Sequence, residues 1–103
     1  MIDLDTMPIP VDELEKKQRP VEERIQELLE RNAGVAYSFT EIVAELEGYN
    51  DVSTLSIALT LMHASKRQEI IRPYEVALGK LLGGGSVRSA KHQGQQYFAA
   101  AKR

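Results

Sequence analysis

Residues 38–72 constrain the fold of this chain more than any other stretch. They read SFTEIVAELEG, YNDV, STLSIALTLMHASKR and QEIIR in succession. Ser38 and Glu41 have the spacing of a capping box: the Ser38 hydroxyl accepts from the amide three residues on, and Glu41 reaches back to the amide of Ser38. Phe39, Ile42, Val43 and Leu46 follow at helical spacing on one face, and Gly48 ends that helix. Tyr49, Asn50 and Asp51 make a turn, with Asp51 or Ser53 as the next N-cap. A further helix is expected over 53–68. On a wheel advancing about 100° per residue, Leu55, Ile57, Ala58, Leu59, Leu61, Met62 and Ala64 cover more than half the circumference. Ser53, Ser56, Thr60, His63 and Arg67 collect in the remaining polar strip. The expectation is a helix buried on most sides, exposing one narrow ridge.

The flanking segments are less regular. Residues 1–19 read as a flexible acidic arm, interrupted by Pro8 and Pro10. A first helix is expected from Pro20, because proline suits a position whose N–H has no helical partner. Glu22 and Glu23 then favour the positive end of the helix dipole. Val21, Ile25, Leu28 and Leu29 form its apolar stripe, and Gly34 closes it. Beyond the central pair, 69–74 reads as a strand holding Ile70 and Ile71, with Pro73 at an edge or end. The segment 74–82 reads as an extension of that strand, with a short helix closed by Gly83 as the alternative. GGGSVRSAKHQG has the composition of a mobile basic loop, and 95–99, with Tyr97 and Phe98, reads as a returning strand.

A length of 103 residues argues for one domain, and 43% hydrophobic with 27% charged residues argues for a globular one. Without cysteine there is no disulfide or thiolate metal site, and a reducing, cytoplasmic location is expected. No apolar run approaches a membrane span, and the acidic N-terminus lacks the pattern of a signal peptide. The near-neutral net charge of -2 conceals a split. Residues 1–65 hold 5 Lys/Arg against 13 Asp/Glu, whereas 66–103 hold 8 against 2. Such polarity suits an anionic partner for the C-terminal part, or attraction between the two halves. Catalytic chemistry is not expected. The two histidines, His63 and His92, fall in different elements with no carboxylate at ligand spacing, so neither metal nor cofactor is implied. No nucleophile motif is present, and Gly79-Lys80 lacks the rest of a phosphate loop. The six aromatic residues suit core and strand positions better than base stacking.

The layout from 20 to 99 resembles the winged helix-turn-helix superfamily of small prokaryotic transcription regulators. The carriers are the helix after Pro20, the capped SFTEIVAEL, the helix STLSIALTLMHASKR running into QEIIR, and the strand GQQYFA. The resemblance implies an α+β fold: three helices and a small antiparallel hairpin wing over 20–103, preceded by the arm at 1–19. It implies duplex DNA as partner, with helix 53–68 in the major groove through Ser53, Ser56, Thr60, His63 and Arg67. The basic loop 77–94 would meet the phosphates through Lys80, Arg88 and Lys91, with His92 beside them. Homodimerisation, through the arm or the first helix, would match symmetric half-sites. The alternative is a winged-helix module that binds protein rather than nucleic acid, which the net negative charge and the weakly charged ridge favour.

Overall fold

A computed structural model describes residues 19–101. The arm expected over 1–19 therefore lies, apart from Arg19, outside the described residues. The described chain is α+β, with four helices and a three-stranded antiparallel sheet. In order these are α1 (Val21–Arg31), β1 (Tyr37–Ser38), α2 (Phe39–Glu47), α3 (Val52–Thr60), α4 (Ala64–Gly84), β2 (Val87–His92) and β3 (Gln95–Ala100). The strand order is β1-β3-β2, so the last strand of the chain lies between the first two. Tyr37 pairs with Phe98, and Val87 with Ala100.

The first half follows the local signals. Pro20 is the N-cap of α1 rather than its first residue, and Ile25, Leu28 and Leu29 are buried as a stripe. Asn32, not Gly34, ends the helix, its backbone and side-chain amides both donating to the Leu28 carbonyl. The capping box of α2 is complete. The Glu41 amide donates to Ser38 Oγ at 3.3 Å, and the Ser38 amide donates to Glu41 Oε1 at 2.8 Å. Ile42 and Val43 are buried, and Gly48 closes the helix with a φ of 85°, a left-handed conformation that costs glycine little. Arg24 of α1 donates to the Leu46 carbonyl at 2.6 Å, tying the first two helices together.

The second half departs from expectation in four ways. The helix expected over 53–68 is broken at 61–63, where His63 is extended and starts α4. It is also not buried on most sides: Leu55 is the one fully buried residue of α3, while Ile57 and Leu61 are 63% and 83% exposed. The strand expected over 69–74, and its extension over 74–82, are helix. Tyr74, Ala77, Leu78 and Leu81 are buried at the three- and four-residue spacing of one helical face, which supplies more burial than a strand through Ile70 and Ile71 would. Pro73 is accommodated because it lies on the exposed side, where the carbonyl it leaves unpaired meets water. Finally, the mobile loop expected over 77–94 divides into the end of α4, β2 and a two-residue turn. Gly85 rather than Gly83 closes α4, with a φ of 81°.

The core gathers Ile25, Leu28 and Leu29 of α1, Ile42 and Val43 of α2, Leu55, and the buried face of α4, closed by Val87 and Phe98. Tyr74 sits at its centre, 2% exposed, and its hydroxyl donates to the Glu47 carboxylate at the end of α2. Burial, reinforced by that carboxylate, pushes the phenol pKa up. Among the described residues no helix is long and apolar enough to cross a membrane.

Ser38→Ala removes the α2 cap and leaves the Glu41 amide without its side-chain acceptor. Urea unfolding is expected to show a loss of about 1–2 kcal/mol. A loss below a few tenths would mean that the capping box does not hold the start of α2.

Candidate nucleic-acid interface

The hairpin β2–β3 is closed by Gln93 and Gly94, with φ values of 53° and 81°. Two successive left-handed residues make the primed type of turn, whose twist matches that of the flanking strands. The ladder runs from Val87↔Ala100 to His92↔Gln95. Only Val87 of β2 is buried, so the strand is held mainly by hydrogen bonds to β3, which in turn is anchored by Phe98 and Ala99.

Opposed residues in an antiparallel pair share a face. Arg88, Ala90 and His92 therefore lie on one face with Ala99, Tyr97 and Gln95, and the His92 and Tyr97 rings meet edge-on at 6.3 Å. Lys91 lies on the opposite face with Gln96. The ribbon thus carries one cation on each side. The chain has no Asp or Glu after Glu75, so the hairpin contains no carboxylate to neutralise either.

Most of the other described cations have partners elsewhere. Arg19 pairs with Glu27 at 2.6 Å, Lys66 with Glu69 at 3.7 Å, and Lys80 with Glu22 at 3.4 Å. Lys80 is consequently a link from α4 to α1 rather than part of a loop beside Arg88. Arg67 is partly buried, and its guanidinium donates to the carbonyls of Leu59 at 3.0 Å and Met62 at 3.2 Å. These carbonyls belong to the broken end of α3, where the Leu59 carbonyl also accepts from the Met62 amide at 3.2 Å, so Arg67 adds side-chain donors to the turn that ends the helix. Among the described residues, Arg72, Arg88 and Lys91 are the Lys and Arg side chains with neither an ion pair nor a hydrogen bond.

The expected polar ridge survives in part. Ser53, Ser56 and Thr60 are exposed along α3, with Thr60 donating its hydroxyl to the Ser56 carbonyl at 2.8 Å. His63 is exposed but belongs to the start of α4, and Arg67 is turned back onto the chain. Asp51 caps α3, accepting at 2.7 Å from both the amide and the hydroxyl of Thr54. The amide bond, followed by the hydroxyl bond, holds its carboxyl below the usual carboxylate range. The positive end of α3 is therefore already occupied by a carboxylate, and the helix itself carries no charged residue. The candidate residues fall into three groups: Ser53, Ser56 and Thr60 on α3, Lys80 on the α1 side of α4, and Arg88 with Lys91 on the hairpin. Sequence reading missed Arg72 as an uncommitted cation, and the structural role of Arg67 with it. The acid-free tail after Glu75 was the available sign of where uncompensated charge would remain.

No protein family, curated protein or solved structure matches this chain.

Two outcomes follow from these contacts. Arg67→Leu is expected to lower stability by about 1–2 kcal/mol, because two charge-assisted bonds to carbonyls are lost; unchanged urea unfolding would show that the break in the helix needs no cap. The depressed carboxyl pKa of Asp51 means that its contribution is present above its unfolded value, about 3.9, and fades as pH falls through the lower folded value. The stability gap between the native chain and Asp51→Ala should therefore close on acidification below about pH 4. A gap independent of pH would contradict the cap.

Proposed function

We propose that this chain binds duplex DNA as a winged-helix protein and acts in transcriptional regulation, with the β2–β3 hairpin as its phosphate-contacting wing. The observation that carries the reading is the pair Arg88 and Lys91: uncommitted cations on opposite faces of an acid-free ribbon. A ribbon entering a groove has a phosphate strand on either side, and a cation on each face suits that geometry. The strand order β1-β3-β2, with the hairpin following the helices, supports the same reading.

In this arrangement α3 supplies hydroxyls from Ser53 and Ser56 and the exposed Ile57 to base edges, where an apolar side chain can meet a thymine methyl. It supplies no cation, so affinity rests on the hairpin and is low and sensitive to salt. Each phosphate neutralised contributes about −0.9 to the slope of log K against log salt concentration.

Fluorescence anisotropy with a random duplex at low salt tests this. Arg88→Ala with Lys91→Ala is expected to weaken binding to every sequence and to reduce the salt slope by about 2. Equal binding by the double variant would move the phosphate contacts off the hairpin.

A protein partner is the second reading, carried by α3 itself. This helix has no charged residue, and Ile57 and Leu61 project from its outer side at 63% and 83% exposure. Interface centres are depleted of charge in this way. A native chain that fails to bind any duplex would favour this reading.

A further inference from the structure

The outward side of α4 carries a seam that is complementary to itself. Glu69, Pro73, Val76 and Lys80 stand at i, i+4, i+7 and i+11, the spacing of one helical stripe, and all four are exposed. The stripe is acidic at its N-terminal end, basic at its C-terminal end and apolar between. Val76 is 47% exposed, the half-buried Val21 at the start of α1 extends the apolar part beside it, and Arg72 borders it. The two charged ends hold only weak, solvated partners: Glu69 meets Lys66 at 3.7 Å, and Lys80 meets Glu22 at 3.4 Å.

We infer that this seam is the interface of a homodimer, in which α4 of one protomer packs antiparallel on α4 of its partner. The charge pattern selects the orientation. Positions 69, 73, 76 and 80 are symmetric about the middle of the seam, so a two-fold axis there places Val76 against the partner's Pro73 twice. The same axis places Glu69 against the partner's Lys80 twice. A parallel pairing would instead set Glu69 against its own copy and Lys80 against its own copy, and like charges facing each other repel. An isologous contact of this kind closes after two subunits and leaves no open end. Lys80 remains next to Glu22 and Glu69 next to Lys66, so each end of the interface becomes a four-charge cluster of Glu22, Lys80 and the partner's Glu69 and the partner's Lys66. The apolar centre is small, and the dimer is accordingly weak. This inference does not rest on DNA binding, because the hairpin takes no part in it.

Sedimentation equilibrium of the full chain at low salt, from micromolar to millimolar protein, tests the interface. A monomer–dimer equilibrium is expected. Val76→Asp is exposed and should leave the fold intact while lowering the association constant about tenfold or more. Glu69→Lys should lower it about tenfold, and Glu69→Lys with Lys80→Glu should recover part of that loss, because reversed charges still match across the two-fold while Lys66 and Glu22 then face like charges within each protomer. A chain that remains monomeric throughout overturns the inference. So does a dimer that is indifferent to Val76→Asp, or one in which the reversed pair recovers none of the loss.

Discussion

Burial of one face of α4 is the interaction on which the rest of the structure depends. Tyr74, Ala77, Leu78 and Leu81 pack against the Ile25–Leu29 stripe of α1, and the same helix then delivers the chain to β2. Tyr74 couples this packing to α2 by donating to Glu47, a bond formed where burial makes an unpaired hydroxyl costly. The sheet is closed from the other side, since β3 pairs with both β1 and β2 and brings Phe98 onto the core. Without the α4 face, β3 would still pair with β1, but α1 and β2 would lose the helix they pack against.

That packing also explains where charge is left over. Lys80 lies at the edge of the α1–α4 contact and is drawn to Glu22. Arg67 lies at the broken joint between α3 and α4 and is drawn to carbonyls. The hairpin extends beyond the helices into a part of the chain that has no acids, so Arg88 and Lys91 keep their charge uncompensated. The functional proposal therefore depends less on a reading helix than on electrostatics. The helix that looked like a reading head is uncharged, carries a carboxylate at its positive end, and exposes apolar side chains.

Local signals were sufficient where the structure is local. The capping box at Ser38 and Glu41, the stripe through Ile25 and Leu29, the glycine stop at Gly48 and the strand through Tyr97 and Phe98 were all legible, because each depends on residues within one or two turns or one strand. The second half was not. Ile70, Ile71 and Pro73 together resemble the end of a strand, and the helical period becomes clear only with Tyr74, Ala77, Leu78 and Leu81. What decides between the two is burial against α1, some 45 to 56 residues earlier in the chain. Glycine and serine around 83–89 looked like a loop, yet β2 forms because β3 offers it a ladder, a non-local gain that composition does not report. The role of Arg67 was equally hidden, since it exists only because the helix breaks at 61–63. The basic character of Arg88 and Lys91 was legible from charge alone, whereas the contacts of Lys80 and Arg67 depend on other elements and were not.

The most direct measurement is a heteronuclear NMR titration of the isotopically labelled chain with a random duplex at low salt. If the hairpin is the phosphate-contacting surface, the largest amide shifts fall within 87–96, with smaller ones on the outer side of α3, and they fade as salt is raised. No shifts at saturating duplex, or shifts confined to α1 and the outer side of α4, would contradict it.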